Sequence, residues 1–211
     1  MTAPMEFPER FNMAWYFLDR NVEEGRGDKR CLFWRDQAFT YREVQARANR
    51  LGHALVSLGV RVEDRVLIVL PDCPEFAFGW FGAAKAGAVI AMVNPLLPAE
   101  DYLHYFEYTR ARVAVVDAAT AEKLEPLAGR FRHLAHMVVV GPPGRHLSFE
   151  EVCARASDRL VNADTHRDDP AIWLFTSGST GKPKARRRRT SRGNSVLAAW
   201  IPARRTFTWT V

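Results

Sequence analysis

From residue 65 onward the chain alternates short, continuous runs of Val, Ile, Leu and Ala with segments of helical length, a rhythm that few folds accommodate. The apolar runs at 65–70, 87–93, 113–117, 137–140 and 171–176 predict buried strands, and the stretches 74–86, 98–110, 121–130 and 148–157 predict helices. Strands without strict in-and-out alternation suit a sheet covered on both faces. Helix-length connections suit right-handed crossovers between parallel neighbours. The expected class is therefore α/β, with a doubly wound parallel sheet.

Upstream, residues 11–24 predict an amphipathic helix ended by Gly25-Arg26-Gly27, and 31–35 with 38–39 predict a hairpin about Asp36-Gln37. Thr40-Tyr41-Arg42-Glu43 has capping-box spacing, after which Val44, Ala48, Leu51, Leu55 and Leu58 recur every three or four residues as far as Gly59. That pattern is a helix.

Charge is distributed unevenly. The formal net charge is +6, yet seven of the 30 basic residues are arginines after Lys184, where none of the 24 acidic residues lies. Residues 1–184 thus hold 23 basic and 24 acidic groups, so the body gives no reason to expect a polyanion partner. Cys31, Cys73 and Cys153 are odd in number and lack C-x-x-C spacing, which fits a reducing cytoplasmic setting rather than a disulfide framework or cysteine zinc site. No apolar run approaches the roughly 18 residues of a membrane span, and the first residues lack a signal-peptide pattern.

The stretch richest in chemistry follows the last apolar run: Thr176-Ser177-Gly178-Ser179-Thr180-Gly181-Lys182-Pro183-Lys184. Gly178 and Gly181 permit close backbone approach, so successive N–H groups can line one concavity. Thr176, Ser177, Ser179 and Thr180 add hydroxyls, and Lys182 and Lys184 add positive charge. Together these suit a polyphosphate better than they suit an ordinary polar loop. A Walker A loop is excluded, because it needs Gly at position 176 and a hydroxyl at position 183, where Thr and Pro stand. Pro183 also disfavours a helix starting directly behind Lys182, so a helix dipole is not expected to assist.

This nonapeptide resembles the phosphate-binding motif of the adenylate-forming (AMP-binding) enzymes, which include acyl- and aryl-CoA synthetases. Two further segments agree in order: Phe39-Thr40-Tyr41-Arg42-Glu43-Val44, and Trp80-Phe81-Gly82-Ala83-Ala84-Lys85-Ala86-Gly87-Ala88-Val89 running into Asn94-Pro95. Within the family, residues 94–102 and 107–112 most resemble benzoate-CoA ligase and related aryl-CoA ligases. The resemblance covers about residues 8–185 and implies the N-terminal part of an adenylation domain (1–185), truncated before the family's adenine, ribose, hinge and catalytic-lysine motifs. It implies ATP and Mg2+, CoA as co-substrate of the full-length enzyme, an aromatic carboxylic acid as substrate, and no membrane. Thr176, Ser177, Gly178, Ser179, Thr180, Gly181, Lys182 and Lys184 would bind the nucleotide's phosphates. No catalytic residue and no metal ligand is expected in this chain, which by itself would be inactive.

Residues 186–211 break from the family pattern with Arg186-Arg187-Arg188-Arg189 and more Arg, Thr and Ser, the composition of a shifted frame in GC-rich DNA. They are expected to form an irregular, non-native or disordered tail. The alternative is a nonenzymatic module whose arginines bind nucleic acid through nonspecific electrostatics, a partner not favoured here. His133 and His136 have H-x-x-H spacing without a completing carboxylate or cysteine, and are expected to be structural. Asp168-Asp169 reads as a solvated turn, and Phe76, Phe78, Trp80 and Phe81 as core.

Overall fold

The computed structural model describes residues 7–178, 181–189 and 207–209. Helical turns over 13–26 come first, widened to π geometry at Trp15–Asp19 and Val22–Arg26, with Gly25 at φ 82° where the regular helix expected over 11–24 gives out. Strands β1 (Arg30–Trp34) and β2 (Gln37–Thr40) then pair antiparallel. Trp34 pairs with Gln37, so the turn is Arg35-Asp36, and Arg35 has the positive φ (52°) that a two-residue hairpin turn demands. Strand β10 (Phe207–Trp209) lies antiparallel to the other edge of β1.

Thr40 caps α1 (Tyr41–Ser57): its hydroxyl accepts from the Glu43 amide at 3.3 Å, and the Glu43 carboxylate accepts from the Thr40 amide at 2.8 Å. These bonds to Thr40 hold the Glu43 carboxyl below the usual carboxylate range. A carboxyl with a depressed folded-state pKa contributes stability that is present above its unfolded value and lost as pH falls through the folded one. Thr40→Ala should therefore cost about 1 kcal/mol at neutral pH and less at pH 3. Urea unfolding at both pH values checks this; equal costs would show that the ionised carboxylate adds nothing.

The main sheet has seven strands: β3 (Arg65–Val69), β4 (Val89–Met92), β5 (Val113–Asp117), β6 (His136–Val140), β7 (Leu147–Ser148), β8 (Pro170–Gly178) and β9 (Gly181–Arg189). Their order is β7-β6-β5-β3-β4-β8-β9, parallel throughout except for β8 against β9. Helices α2 (Pro74–Lys85), α3 (Ala99–Thr109), α4 (Ala118–Leu124) and α5 (Phe149–Ala154) complete the layers. Successive strand residues point to opposite faces, and the core divides accordingly. Val66, Ile68, Ile90, Val115 and Ile172 join Leu51, Leu55, Phe78 and Phe81 of α1 and α2, whereas Leu67, Val69, Ala91 and Val116 join Tyr102, Phe106 and Leu124 of α3 and α4. The sheet is doubly wound, as the uninterrupted apolar runs predict. Phe76 and Trp80 are buried with Phe78 and Phe81.

Three expectations need adjustment. The helix expected over 121–130 starts earlier as α4 and tightens into a 3₁₀ turn at Glu125–Arg130, where Pro126 supplies no N–H. The helix expected over 148–157 is the six-residue α5, capped by Ser148. Strand β9 carries the chain past the expected boundary at residue 185, with Arg186–Arg189 inside it; residues 190–206, where most of the expected tail falls, lie outside the described residues. No helix among the described residues is long and apolar enough to cross a membrane.

Helices α1 and α2 meet backbone to backbone. A Cβ at Gly82 would lie 2.9 Å from both the Ala48 carbonyl oxygen and the Gly52 nitrogen, and one at Gly52 would lie 2.8 Å from the Gly82 oxygen. Gly82→Ala must separate the helices, and a loss of about 1–2 kcal/mol in denaturant unfolding is expected, despite alanine's better helix propensity. Unchanged stability would show that the contact can relax freely.

At the end of α2, the fully buried Lys85 ammonium ion-pairs with Asp19. Asp19 also accepts from Gln45 Nε2 at 2.8 Å and Asn162 Nδ2 at 2.7 Å, and Lys85 donates to Asn162 Oδ1 at 3.3 Å. Nearby, the Phe11 amide donates to the Thr165 carbonyl at 2.9 Å, and Asn12 Nδ2 donates to the Ala84 carbonyl at 3.0 Å. The N-terminal segment and residues 162–165 are thereby fastened to the end of α2. Burial pushes the Lys85 ammonium below its ordinary value against the opposing pull of Asp19.

Candidate functional site

The order of the strands selects one edge of the sheet. From β4 the chain crosses to β5 on the far side of β3, and from β7 it returns to place β8 beside β4. In open α/β sheets, ligands bind beyond the carboxyl ends of strands where the winding reverses. The phosphate-type motif leaves the carboxyl end of β8.

Both faces of β8 are anchored before the motif begins. Ile172 is fully buried on the α1 and α2 face, while Phe175 on the other face packs edge-on to Tyr105 of α3, with ring centroids 4.7 Å apart. Beyond this base the motif folds back as an antiparallel hairpin, with Phe175 opposite Ala185, Thr176 opposite Lys184 and Gly178 opposite Gly181. Between the last two pairs β8 advances two residues and β9 three, so β9 holds one extra residue around Lys182-Pro183. That is a β-bulge on an edge strand, a place where a residue without an N–H is tolerated. Pro183 thus suits the observed backbone as well as opposing a helix.

Of the predicted site residues, the hairpin brings Thr176, Ser177 and Gly178 at the end of β8 together with Gly181, Lys182 and Lys184 at the start of β9. Ser179 and Thr180 lie outside the described residues. The composition at this tip supplies hydroxyls, glycine backbone and two lysines within a few residues of one another across the ladder.

Next to it, the loop leaving β4 is held rigidly. Asn94 Oδ1 accepts from the Leu96 amide at 2.9 Å, and the Asn94 carbonyl accepts from the Tyr102 hydroxyl at 2.9 Å. Lys123 Nζ, from α4, donates to the Pro95 and Leu97 carbonyls, both at 3.0 Å. Burial pushes the Tyr102 phenol up to about 12, so it remains a donor at neutral pH. Asn94 and Pro95 belong to the second family-like segment, but the tie from Lys123 joins residues far apart in sequence and has no local signal.

Other candidates resolve as structure. His136 opens β6 and His133 precedes it, so the pair does not share a helix. Asp169 accepts from the His166 amide at 2.7 Å in a turn ahead of β8. Burial pushes the thiols of Cys31, Cys73 and Cys153 up to about 12, which removes them as thiolate nucleophiles near neutral pH. No group of three or more His, Cys, Asp or Glu side chains that could hold a metal ion occurs among the described residues.

The family model described as "AMP-binding enzyme" matches residues 18–187, a range that contains the β8–β9 hairpin tip. The chain is 38% identical over 181 residues to a benzoate-CoA ligase of Thauera aromatica, a match covering 85% of this chain and 34% of that protein. It is 34% identical over 175 residues to a 4-hydroxybenzoate-CoA/benzoate-CoA ligase of Rhodopseudomonas palustris, covering 82% and 32% respectively. Among solved structures, the anthranilate CoA ligase AuaEII in complex with anthranoyl-AMP superposes with a TM-score of 0.85 at 32% identity, over 92% of this chain and 38% of that one. A benzoate CoA ligase from Burkholderia xenovorans LB400 superposes with a TM-score of 0.75 at 29% identity, over 92% and 37%. The chain spans about a third of the length of these relatives.

Proposed function

Because the chain belongs to the AMP-binding enzyme family, we propose that it carries the phosphate-binding part of an ATP-dependent ligase that converts an aromatic carboxylic acid to its CoA thioester. In this reading a carboxylate oxygen of the acid attacks the α-phosphorus of ATP, the bond to the β-phosphate bridge breaks, and pyrophosphate leaves. The CoA thiol then loses its proton and attacks the acyl carbon, displacing AMP. Thr176, Ser177, Gly178, Ser179, Thr180, Gly181, Lys182 and Lys184 hold the β- and γ-phosphates and offset the charge that develops on the departing pyrophosphate. No nucleophile or proton carrier is assigned to residues 1–184. Magnesium, which the family implies, would be held mainly by the nucleotide's phosphate oxygens and would neutralise charge on them.

The observation that carries this reading is the position of the nonapeptide at the carboxyl end of β8, beside β4, inside the matched range. The aromatic acid is suggested by relatives that are benzoate- and hydroxybenzoate-CoA ligases. ATP–pyrophosphate exchange by a protein whose family-like frame continues past Ala185 tests it, with benzoates and short fatty acids as substrates. Exchange with benzoates is expected, and none with any acid would sink the proposal. The 211-residue chain alone should show no ligase turnover, because it spans only 34% of the Thauera relative; CoA thioester formed by the purified chain would contradict this.

A further inference from the structure

The opposite rim of the sheet holds a second concavity. At the amino ends of β3, β4 and β8, a cleft of about 450 Å³ is lined by Glu63, Arg65, Tyr108, Arg110, Pro170 and Trp173, among others. Along β8, Trp173 of this cleft lies three residues before Thr176 of the phosphate motif, about 10 Å at 3.3 Å per residue. The two sites share β8 but are lined by different residues.

One wall is aromatic. Tyr108 is 48% exposed and stands edge-on to Trp173, with ring centroids 5.9 Å apart. The polar lining is cationic on balance, with two arginines against Glu63. Arg65 donates from Nε to the Thr109 carbonyl at 2.6 Å and from Nη1 to the Glu63 carbonyl at 3.1 Å, which fixes its guanidinium and leaves Nη2 unspent among the described residues. Arg110 makes no ion pair among the described residues.

Two cleft residues with positive φ terminate local elements. Arg110 (φ 52°) is the left-handed C-cap that ends α3, and Glu63 (φ 64°) lies in the turn closed by the Asp64 amide donating to the Arg61 carbonyl at 3.0 Å. Glycine would occupy either position at lower energy.

We infer that this cleft binds a small planar aromatic anion, a ring bearing a single carboxylate or phosphate group. The ring packs on Tyr108 and Trp173, and the head group meets the guanidinium groups of Arg110 and Arg65. The cleft's size falls within the ordinary range for small-molecule sites. The inference does not rest on the ligase reading.

The test titrates the 211-residue chain carrying Lys182→Ala and Lys184→Ala and with Arg186–Arg189 replaced by Ser, so that neither those ammonium groups nor the arginine run opposite Trp173 and Pro170 contributes, into 4-fluorobenzoate and, separately, 4-fluorophenyl phosphate, observed by 19F NMR. At least one probe should broaden, and the tighter one identifies the head group. Tyr108→Ala and Arg110→Gly should each weaken that binding at least fivefold, while cyclohexanecarboxylate competes poorly. Arg110→Gly should also raise Tm by about 2–4 °C by relieving the left-handed backbone. Weaker binding in a more stable protein separates a binding role from a folding role. Absence of broadening, broadening unchanged in both variants, or equal competition by the saturated acid overturns the inference. So does a lower Tm for Arg110→Gly, which would make that side chain a support of the fold.

Discussion

Replacing Lys85 by Met should lower the unfolding free energy by about 3–5 kcal/mol, because it strands the Asp19 carboxylate in the core without its counter-charge. For a chain of this size that corresponds to a fall in Tm of roughly 10 °C. The large value comes from burial: an exposed pair, such as Arg10 with Asp164, contributes about 0–1 kcal/mol. The Gln45 and Asn162 amides still donate to Asp19 in the variant, but neither carries positive charge. Adding Asp19→Asn to Lys85→Met should recover part of the loss, since the amide keeps an acceptor for Gln45 and removes the unpaired charge. Chemical denaturation of the single and double variants measures both effects. A loss below about 1 kcal/mol for Lys85→Met, or a double variant worse than the single, would mean that water reaches the site and solvates the carboxylate.

The second large effect concerns the hairpin tip. Lys182→Ala with Lys184→Ala should weaken binding of ATP, GTP and pyrophosphate alike, by ten- to a hundredfold, on the basis of roughly 1.5–3 kcal/mol for hydrogen bonds to charged groups, reduced by solvent screening. The nucleotide base should matter little, since none of the residues assigned to the tip is suited to reading its edge. Wild-type affinity should itself be modest, because a glycine-rich hairpin loses conformational entropy when it closes on a ligand. Isothermal titration at physiological salt, with Arg186–Arg189 replaced by Ser in every protein so that they cannot bind phosphate, gives the comparison. Tight, adenine-selective binding would show that the 211-residue chain already forms a complete nucleotide pocket, contrary to the proposal.

Much of the fold was legible from short-range pattern. The runs ending at Leu70, Val93, Asp117, Val140 and Thr176 are strands β3, β4, β5, β6 and β8 because buried parallel strands must be apolar on both faces. The start of α1 was legible because a capping box is local, with Thr40 and Glu43 bonded to each other. Strand β7 leaves no sequence signature because two residues have no period, and β9 leaves none because its Arg run and Pro183 resemble no buried strand. An edge strand needs a partner on only one side and tolerates charge and proline, so its pairing partner β8 supplies the order that its own residues do not announce.

The candidate site divides in the same way. Sequence by itself determined the chemistry of the tip, because hydroxyls, glycines and lysines act through what they are, and it determined the winding of the sheet, because apolar period is written residue by residue. Tertiary structure alone decided that Thr176 stands opposite Lys184, that Lys123 ties down the loop after β4, and that Lys85 finds Asp19 in the core. Each of these joins residues from different elements. Their pairing energies depend on distance, desolvation and a shared enclosure, quantities that exist only once the chain has folded and that leave no mark on local sequence.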